Sequence, residues 1–151
     1  MIHTLLIINQ AGSLTYTKDF SNGANKLTTN EYLILAGTIH SVHAISAGLL
    51  PVSKKKNAAI SRGVSRRSGS SGTGGFEVIE AQDMKLHCYE TPTGIKFIIV
   101  ADKNHGESIK DTMRGLYLVY SDYVLKSPFY NPEMPIRSEI FDKKVSKLLD
   151  Q

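Results

Sequence analysis

The stretch that decides the fold is LYLVYSDYVLKSPFYNPEMPIRSEIFDKKVSKLL, from Leu116 to Leu149. A helical pattern ends at Pro128, and a short loop with two aromatic residues and two more prolines leads into a second amphipathic helix. The stretch has no paired acids on adjacent turns, no metal-ligand spacing and no phosphate-binding loop. This pattern indicates a shaped surface for a partner rather than an active site.

Two helices are predicted around that loop. The first carries an apolar stripe at helical spacing, formed by Ile109, Met113, Leu116, Tyr120 and Tyr123, and Pro128 ends it. The second is predicted to have Pro135 in its first turn. Its expected buried stripe is Ile136, Ile140, Phe141, Val145, Leu148 and Leu149.

Five strands are predicted in the remaining sequence. His3–Asn9 and Leu14–Phe20 flank the turn Gln10–Ser13 and form a hairpin. Three later runs have strand character, and Thr91–Gly94 supplies the turn between the last two. These runs are Phe76–Glu80, Met84–Tyr89 and Ile95–Ala101.

A helix from Thr28 to about Gly48 follows the hairpin, because Thr28 and Glu31 form a capping box. Tyr32 to Leu35 are four consecutive apolar residues, so they point all around this helix. A helix on one sheet face needs only one apolar stripe. Its outer face is therefore covered either by the loop over residues 50–75 or by another subunit, and the polar loop is the poorer cover.

Composition places the 151 residues in one soluble domain, with 41% hydrophobic and 21% charged residues. The net charge of +4 is local, because residues 51–75 contain six basic residues and no acid. The rest has 12 basic against 14 acidic residues, which disfavours a nucleic-acid interface on the folded body. Residues 50–75 predict a flexible, basic, Ser/Gly-rich loop within the domain. A single cysteine, Cys88, fits a reducing compartment.

No cofactor, metal or catalytic residue is expected. His40 and His43 lie three residues apart on the helix from Thr28, but without a nearby carboxylate or cysteine they make a weak metal site. An interface role is preferred for both histidines, and Tyr32 on the same helix is the third predicted partner contact there. His87 and Cys88 are neighbours on a strand and face opposite ways, so they cannot act as a catalytic pair.

The loop from Ser127 to Pro135 is the second candidate contact surface. Its prolines reduce the entropy lost on docking, and the predicted partner contacts are Pro132, Glu133, Met134, Pro135 and Arg137. Phe129 and Tyr130 either join this surface or plug the end of the sheet core. The charges of Glu133 and Arg137 favour a partner, because a core has no use for them.

The predicted order ββαβββαα gives an α/β fold with a five-stranded antiparallel sheet. One helix lies on one face of the sheet and two lie on the other. This is the order of the longin, or SNARE-like, fold.

Four collinear segments of the sequence resemble the synbindin family, the subunit 4 family of the TRAPP vesicle-tethering complex. The segments are Ile7–Leu14, Asn30–Ala36 with His40 and Ala44–Ile45, Lys85–Tyr89 running into Thr93–Phe97, and Tyr120–Tyr123 with Pro128–Tyr130 and Glu133–Arg137. The resemblance covers nearly everything except residues 50–75, and it implies the same longin fold. Animal members carry a PDZ-like insert after the second strand, whereas only Asp19 to Leu27 occupies that place here.

The resemblance implies a non-catalytic subunit of a guanine-nucleotide exchange factor for a Rab GTPase in ER-to-Golgi transport. Its implied partners are other TRAPP subunits, including a second longin-fold subunit, and the GTPase through the complex. The implied location is cytoplasmic, peripheral to ER and cis-Golgi membranes. The alternative is a longin-domain adaptor or coat-type trafficking subunit without exchange activity.

Overall fold

The computed structural model describes residues 1–20, 26–49, 75–104 and 108–149. Its elements are β1 (Ile2–Ile8), β2 (Leu14–Asp19), α1 (Thr29–Gly48), β3 (Val78–Glu80), β4 (Met84–Glu90), β5 (Lys96–Asp102), α2 (Ser108–Tyr120), a π-helical turn (Ser121–Leu125) and α3 (Glu139–Leu149). The predicted order ββαβββαα is confirmed. Residues 50–74 of the predicted basic loop lie outside the described residues.

The five strands form one antiparallel sheet in the order β2-β1-β5-β4-β3. The central strands β1 and β5 are buried on both faces, which explains their continuous apolar runs. The sheet therefore separates two cores rather than covering one.

The larger core lies between the sheet and the helices α2 and α3. Leu5, Ile7, Phe97 and Ile99 supply its sheet side. The helices contribute Ile109, Met113, Leu116, Tyr120, Val124, Phe141, Val145 and Leu149. The predicted stripe of the first of these helices is thereby confirmed, with its last residue, Tyr123, partly buried against the core.

The smaller core lies under α1. Tyr32, Ala36 and Ile39 pack on Leu6, Ile8, Cys88 and Ile98 of the sheet. The predicted capping box is present: the Thr28 side chain accepts the Glu31 amide, and the Glu31 carboxylate accepts the Thr28 amide. One face of α1 therefore packs on the sheet, as predicted for the helix that lies alone on one face of the sheet.

The last helix begins four residues later than predicted. Pro135 is outside it, because the Ile136 amide donates to the Thr15 carbonyl at the edge of β2 and holds this segment extended. Ser138 caps the helix, accepting from the Phe141 amide through its hydroxyl and from the Asp142 amide through its carbonyl. The expected burial of Ile140 is wrong: its side chain is 59% exposed.

Candidate functional site: two exposed surfaces of the sheet domain

The outer face of α1 is apolar and exposed. From Tyr32 to Gly48 the helix contains no charged residue. Leu33, Ile34, Val42 and Ile45 are exposed, with Ile45 at 65%. A solvated helix usually carries charges on its outer face, so this composition is typical of a surface that another protein covers.

Two of the three predicted contact residues on α1 are buried instead. Tyr32 and His43 are only 6% and 5% exposed, because they belong to the stripe that faces the sheet. The Tyr32 hydroxyl donates to Asp19, and burial, followed by this hydrogen bond, raises the pKa of Tyr32. The prediction that these side chains contact a partner is therefore corrected: they fasten α1 to its own sheet.

His43 belongs to a buried charged cluster under α1. The Lys96 ammonium lies 3.2 Å from one Glu90 oxygen, and the His43 Nε2 lies 3.7 Å from the other. Burial, opposed by Glu90, lowers the pKa of His43, so the neutral ring is favoured. Gly75 packs against the ring so closely that an added Cβ would lie 2.0 Å from Nε2. The cluster fixes the position of the C-terminal half of α1 over β4 and β5.

The third residue, His40, is half-buried against the β1–β2 turn. An added Cβ at Gly12, whose φ is 91°, would lie 2.8 Å from the His40 ring. Asn9 starts the same turn: its side-chain oxygen accepts the Ser13 amide, and its Nδ2 donates to the Pro132 carbonyl. The turn therefore lies between α1 and the loop at residues 127–137, which brings His40 and Pro132 to one end of the sheet.

That loop consists of two successive turns, each with proline in its second position. The Tyr130 amide donates to the Ser127 carbonyl, and the Met134 amide donates to the Asn131 carbonyl. The other predicted contact residues, Pro132, Glu133, Met134, Pro135 and Arg137, are all exposed. In the described part of the chain, neither Glu133 nor Arg137 forms an ion pair.

The two aromatic residues of the loop, Phe129 and Tyr130, have different environments. Tyr130 packs against the larger core, and its hydroxyl lies 2.7 Å from that of Tyr120. Phe129, its neighbour, is 93% exposed. Sequence reasoning did not separate them, although the proline before Phe129 places it at a turn tip, where a side chain points outward.

The two edges of the sheet differ. The β2 edge is partly covered, because Thr15 accepts the Ile136 amide and Lys18 donates to Asp142 and Ser146 of α3. At β3 the hydrogen bonds to β4 come from Glu77, Ile79 and Ala81, so the backbone groups of Val78 and Glu80 point outward. No partner engages those groups in the part of the chain that the structure describes, so β3 can accept another strand.

The described residues contain no cluster of three or more potential metal ligands. None of the described helices is long and apolar enough to cross a membrane. The arrangement offers three exposed surfaces suited to protein contacts: the outer face of α1, the β3 edge and the loop at residues 127–137.

Comparison with known proteins agrees with this architecture. The model of the Sybindin-like family matches residues 2–151. The chain belongs to the Sybindin-like family. A Dictyostelium discoideum protein named trafficking protein particle complex subunit 4 is 45% identical, covering 98% of this chain and 96% of its own length. The human protein of that name is 40% identical over 85% of this chain, which spans only half of the human protein.

Two further similarities concern the fold. Trafficking protein particle complex subunit 1 of Dictyostelium discoideum is 26% identical, covering 100% of this chain and 96% of its own length. A chain in a homology model of the AP-3 complex matches with a TM-score of 0.52 at 11% identity, covering 99% of this chain and 92% of that one. The similarity to the chain of the AP-3 complex shows the fold alone.

Proposed function

We propose that this protein is a non-catalytic subunit of a TRAPP-like complex that accelerates nucleotide exchange on a Rab GTPase in ER-to-Golgi transport. The observation that carries the assembly part of this proposal is the exposed outer face of α1, which has no charged residue and is typical of a surface that another protein covers. The 45% identity to a TRAPP subunit 4 supports an assembly of that kind. In this proposal the chain has no catalytic residue and reaches ER and cis-Golgi membranes only through the complex.

The partner on α1 in this proposal is a second longin-fold subunit. The similarity of this chain to TRAPP subunit 1 supports a related fold for a neighbour in the same complex. The C-terminal half of α1 lies beside the start of β3, because the Phe76 amide donates to Ser46 and the Phe76 ring packs on His43. A related domain could therefore cover α1 and continue the sheet at β3.

The GTPase contact in this proposal is the polar part of the loop, Glu133 and Arg137, together with His40 at the same end of the sheet. Exchange requires only that the complex bind the nucleotide-free GTPase more tightly than the nucleotide-bound form. Exposed charges suit a transient contact of this kind, because they add specificity and speed association.

The assembly claim is tested with Ile45→Asp and the matched control Ile140→Asp. Both residues are exposed isoleucines on helices, at 65% and 59%, but they lie on opposite sides of the sheet. A carboxylate buried in an apolar interface should weaken association by at least about 2 kcal/mol, roughly thirty-fold. Co-expression with a TRAPP subunit 1 and pull-down should show loss only for Ile45→Asp; equal retention by both variants would contradict the proposal.

The exchange claim is tested with complexes that carry Glu133→Ala and Arg137→Ala together. Fluorescent-nucleotide release from the Rab GTPase should slow about five- to 160-fold, as expected from a loss of about 1 to 3 kcal/mol at a charged contact. Unchanged release would remove these residues from the GTPase surface. An intact wild-type complex with no exchange activity would favour the alternative, an adaptor or coat-type subunit.

A further inference from the structure

Phe129 is the most exposed large apolar side chain of the described residues, at 93%. It lies in the turn Ser127–Tyr130, with Pro128 before it and the partly buried Tyr130 after it. The proline limits the backbone, and the hydrogen bond between Tyr130 and Tyr120 fixes the far side of the turn. The ring is therefore held away from the protein by a stiff support, so little entropy would be lost on docking.

We propose that Phe129, with the exposed Leu125 four residues before it, anchors a lasting contact with a second protein subunit through an apolar pocket on that subunit. Aromatic residues are enriched in interface cores, and one such anchor often carries much of the binding energy. This contact lies on the α2–α3 side of the sheet, away from α1. It rests on the proposed function only in taking the partner to be a subunit of the same assembly.

The charges around Phe129 favour a protein over a membrane. Asp122 and Lys126, on the turn of helix that leads to Phe129, pair with each other at 3.2 Å. Glu133 follows on the next turn of the loop. Insertion into an anionic bilayer is normally supported by an excess of basic residues, whereas this region is close to neutral.

The groove between β3, β4 and α2 is too small to accept the Phe129 ring of a second copy of this chain. The groove, lined by Val78, Tyr89, Ile109 and Met113 among others, has a volume of about 50 Å³. A cavity that accepts benzene in another protein measures about 150 Å³. A head-to-tail contact of this kind would also generate open filaments unless the rotation closed a ring.

Its apolar ring separates Phe129 from the polar residues of the same loop, which are exposed as well. A lasting subunit interface is more hydrophobic than a transient one. Phe129 and Leu125 match the first kind, whereas Glu133 and Arg137 match the second. One loop would then present an apolar side to a subunit and a charged side to the GTPase.

The test uses the whole assembly, isolated through a tag on this chain from cells that express only the variant. Phe129→Ala should reduce one co-isolated subunit about ten-fold or more after washing, while the subunit bound to α1 remains. Phe129→Leu should retain an intermediate amount. Ile140→Ala, a change of another exposed apolar residue, should behave as wild type. The unfolding temperature of the isolated chain should be the same for Phe129→Ala and wild type.

Photocrosslinking identifies the contact directly. With p-benzoylphenylalanine at position 129, the crosslinked chain should be the subunit that Phe129→Ala loses. Full subunit retention by Phe129→Ala, or no crosslink from position 129, would overturn the proposal. A crosslink to the GTPase alone would also overturn the proposal. The same is true if the isolated wild-type chain binds phosphatidylserine/phosphatidylcholine vesicles and the Phe129→Ala chain does not. Absence of trafficking subunits from the wild-type eluate would refute the proposed function; this contact would then be supported only if the chain crosslinked at position 129 were a stably co-isolated protein that Phe129→Ala loses.

Discussion

Glu90→Gln should destabilise the protein strongly, although Glu90 is not one of the residues of the proposed GTPase surface. Glu90 is the ion-pair partner of Lys96, whose side chain is 5% exposed. The other contact of the ammonium is a weak one, 3.4 Å to the Gly94 carbonyl. Removing the carboxylate charge leaves a buried ammonium without a counterion. Desolvation makes such a charge costly.

Breaking a buried ion pair from one side costs about 3 to 5 kcal/mol. The lower end applies here, because the glutamine oxygen can still accept a hydrogen bond. For a domain of this size each kcal/mol shifts Tm by about 2 to 4 °C, so a loss of about 3 kcal/mol predicts a fall of roughly 6 to 12 °C. The measurement is urea and thermal unfolding followed by circular dichroism.

Two variants provide the controls. Glu80→Gln removes the same charge from a pair with Lys85 at 3.0 Å, but the Glu80 carboxylate is exposed and Lys85 only half-buried, so Tm should change little. The double variant Glu90→Leu/Lys96→Met removes both charges, and it should recover most of the lost stability, because the cost of the single change is the unpaired charge. If Glu90→Gln lowers the free energy of unfolding by less than about 1 kcal/mol, or if the double variant is no more stable than the single one, then an unpaired buried charge is not the cause of the destabilisation.

Three further outcomes follow from the same structure. Burial lowers the pKa of His43 below its ordinary value, so the unfolded state takes up the proton at a higher pH than the folded state does. The free energy of unfolding should therefore fall as the pH drops below about 6.5. His43→Gln should flatten that fall, as measured by urea unfolding at a series of pH values. Asn9→Ala removes the partners of the Ser13 amide and the Pro132 carbonyl, which should cost about 1 to 3 kcal/mol and speed hydrogen exchange in the loop at residues 127–137; unchanged exchange would show that this bridge does not hold the loop. Burial raises the pKa of the Cys88 thiol to about 12, so iodoacetamide at pH 8 should label it only after unfolding; rapid labelling of the folded chain would contradict its burial.

Local signals in the sequence determined the order of the elements. The capping box at Thr28 starts α1, and Pro128 comes after the helical segment that precedes the loop. The turn at Thr91–Gly94 joins β4 to β5, as predicted. Each of these signals acts through neighbours in the chain, within a few residues, which is why they can be identified without the fold. The resemblance of four segments to one family likewise needed only the sequence.

Only the tertiary structure decided which side chains face outward. The consecutive apolar residues from Tyr32 to Leu35 cannot show which of them meets the sheet, because that depends on how α1 is rotated over β1 and β4. The same holds for Phe129 and Tyr130. In the fold the Tyr130 hydroxyl is hydrogen-bonded to that of Tyr120, so Tyr130 packs on the core and Phe129 remains exposed.

The start of α3 was also a tertiary outcome. Pro135 is a good first residue for a helix, yet the Thr15 carbonyl on a distant strand takes the next amide and delays the helix to Glu139. Surfaces for partners are made of residues that the fold leaves uncovered, so packing, rather than local sequence, fixes where they are.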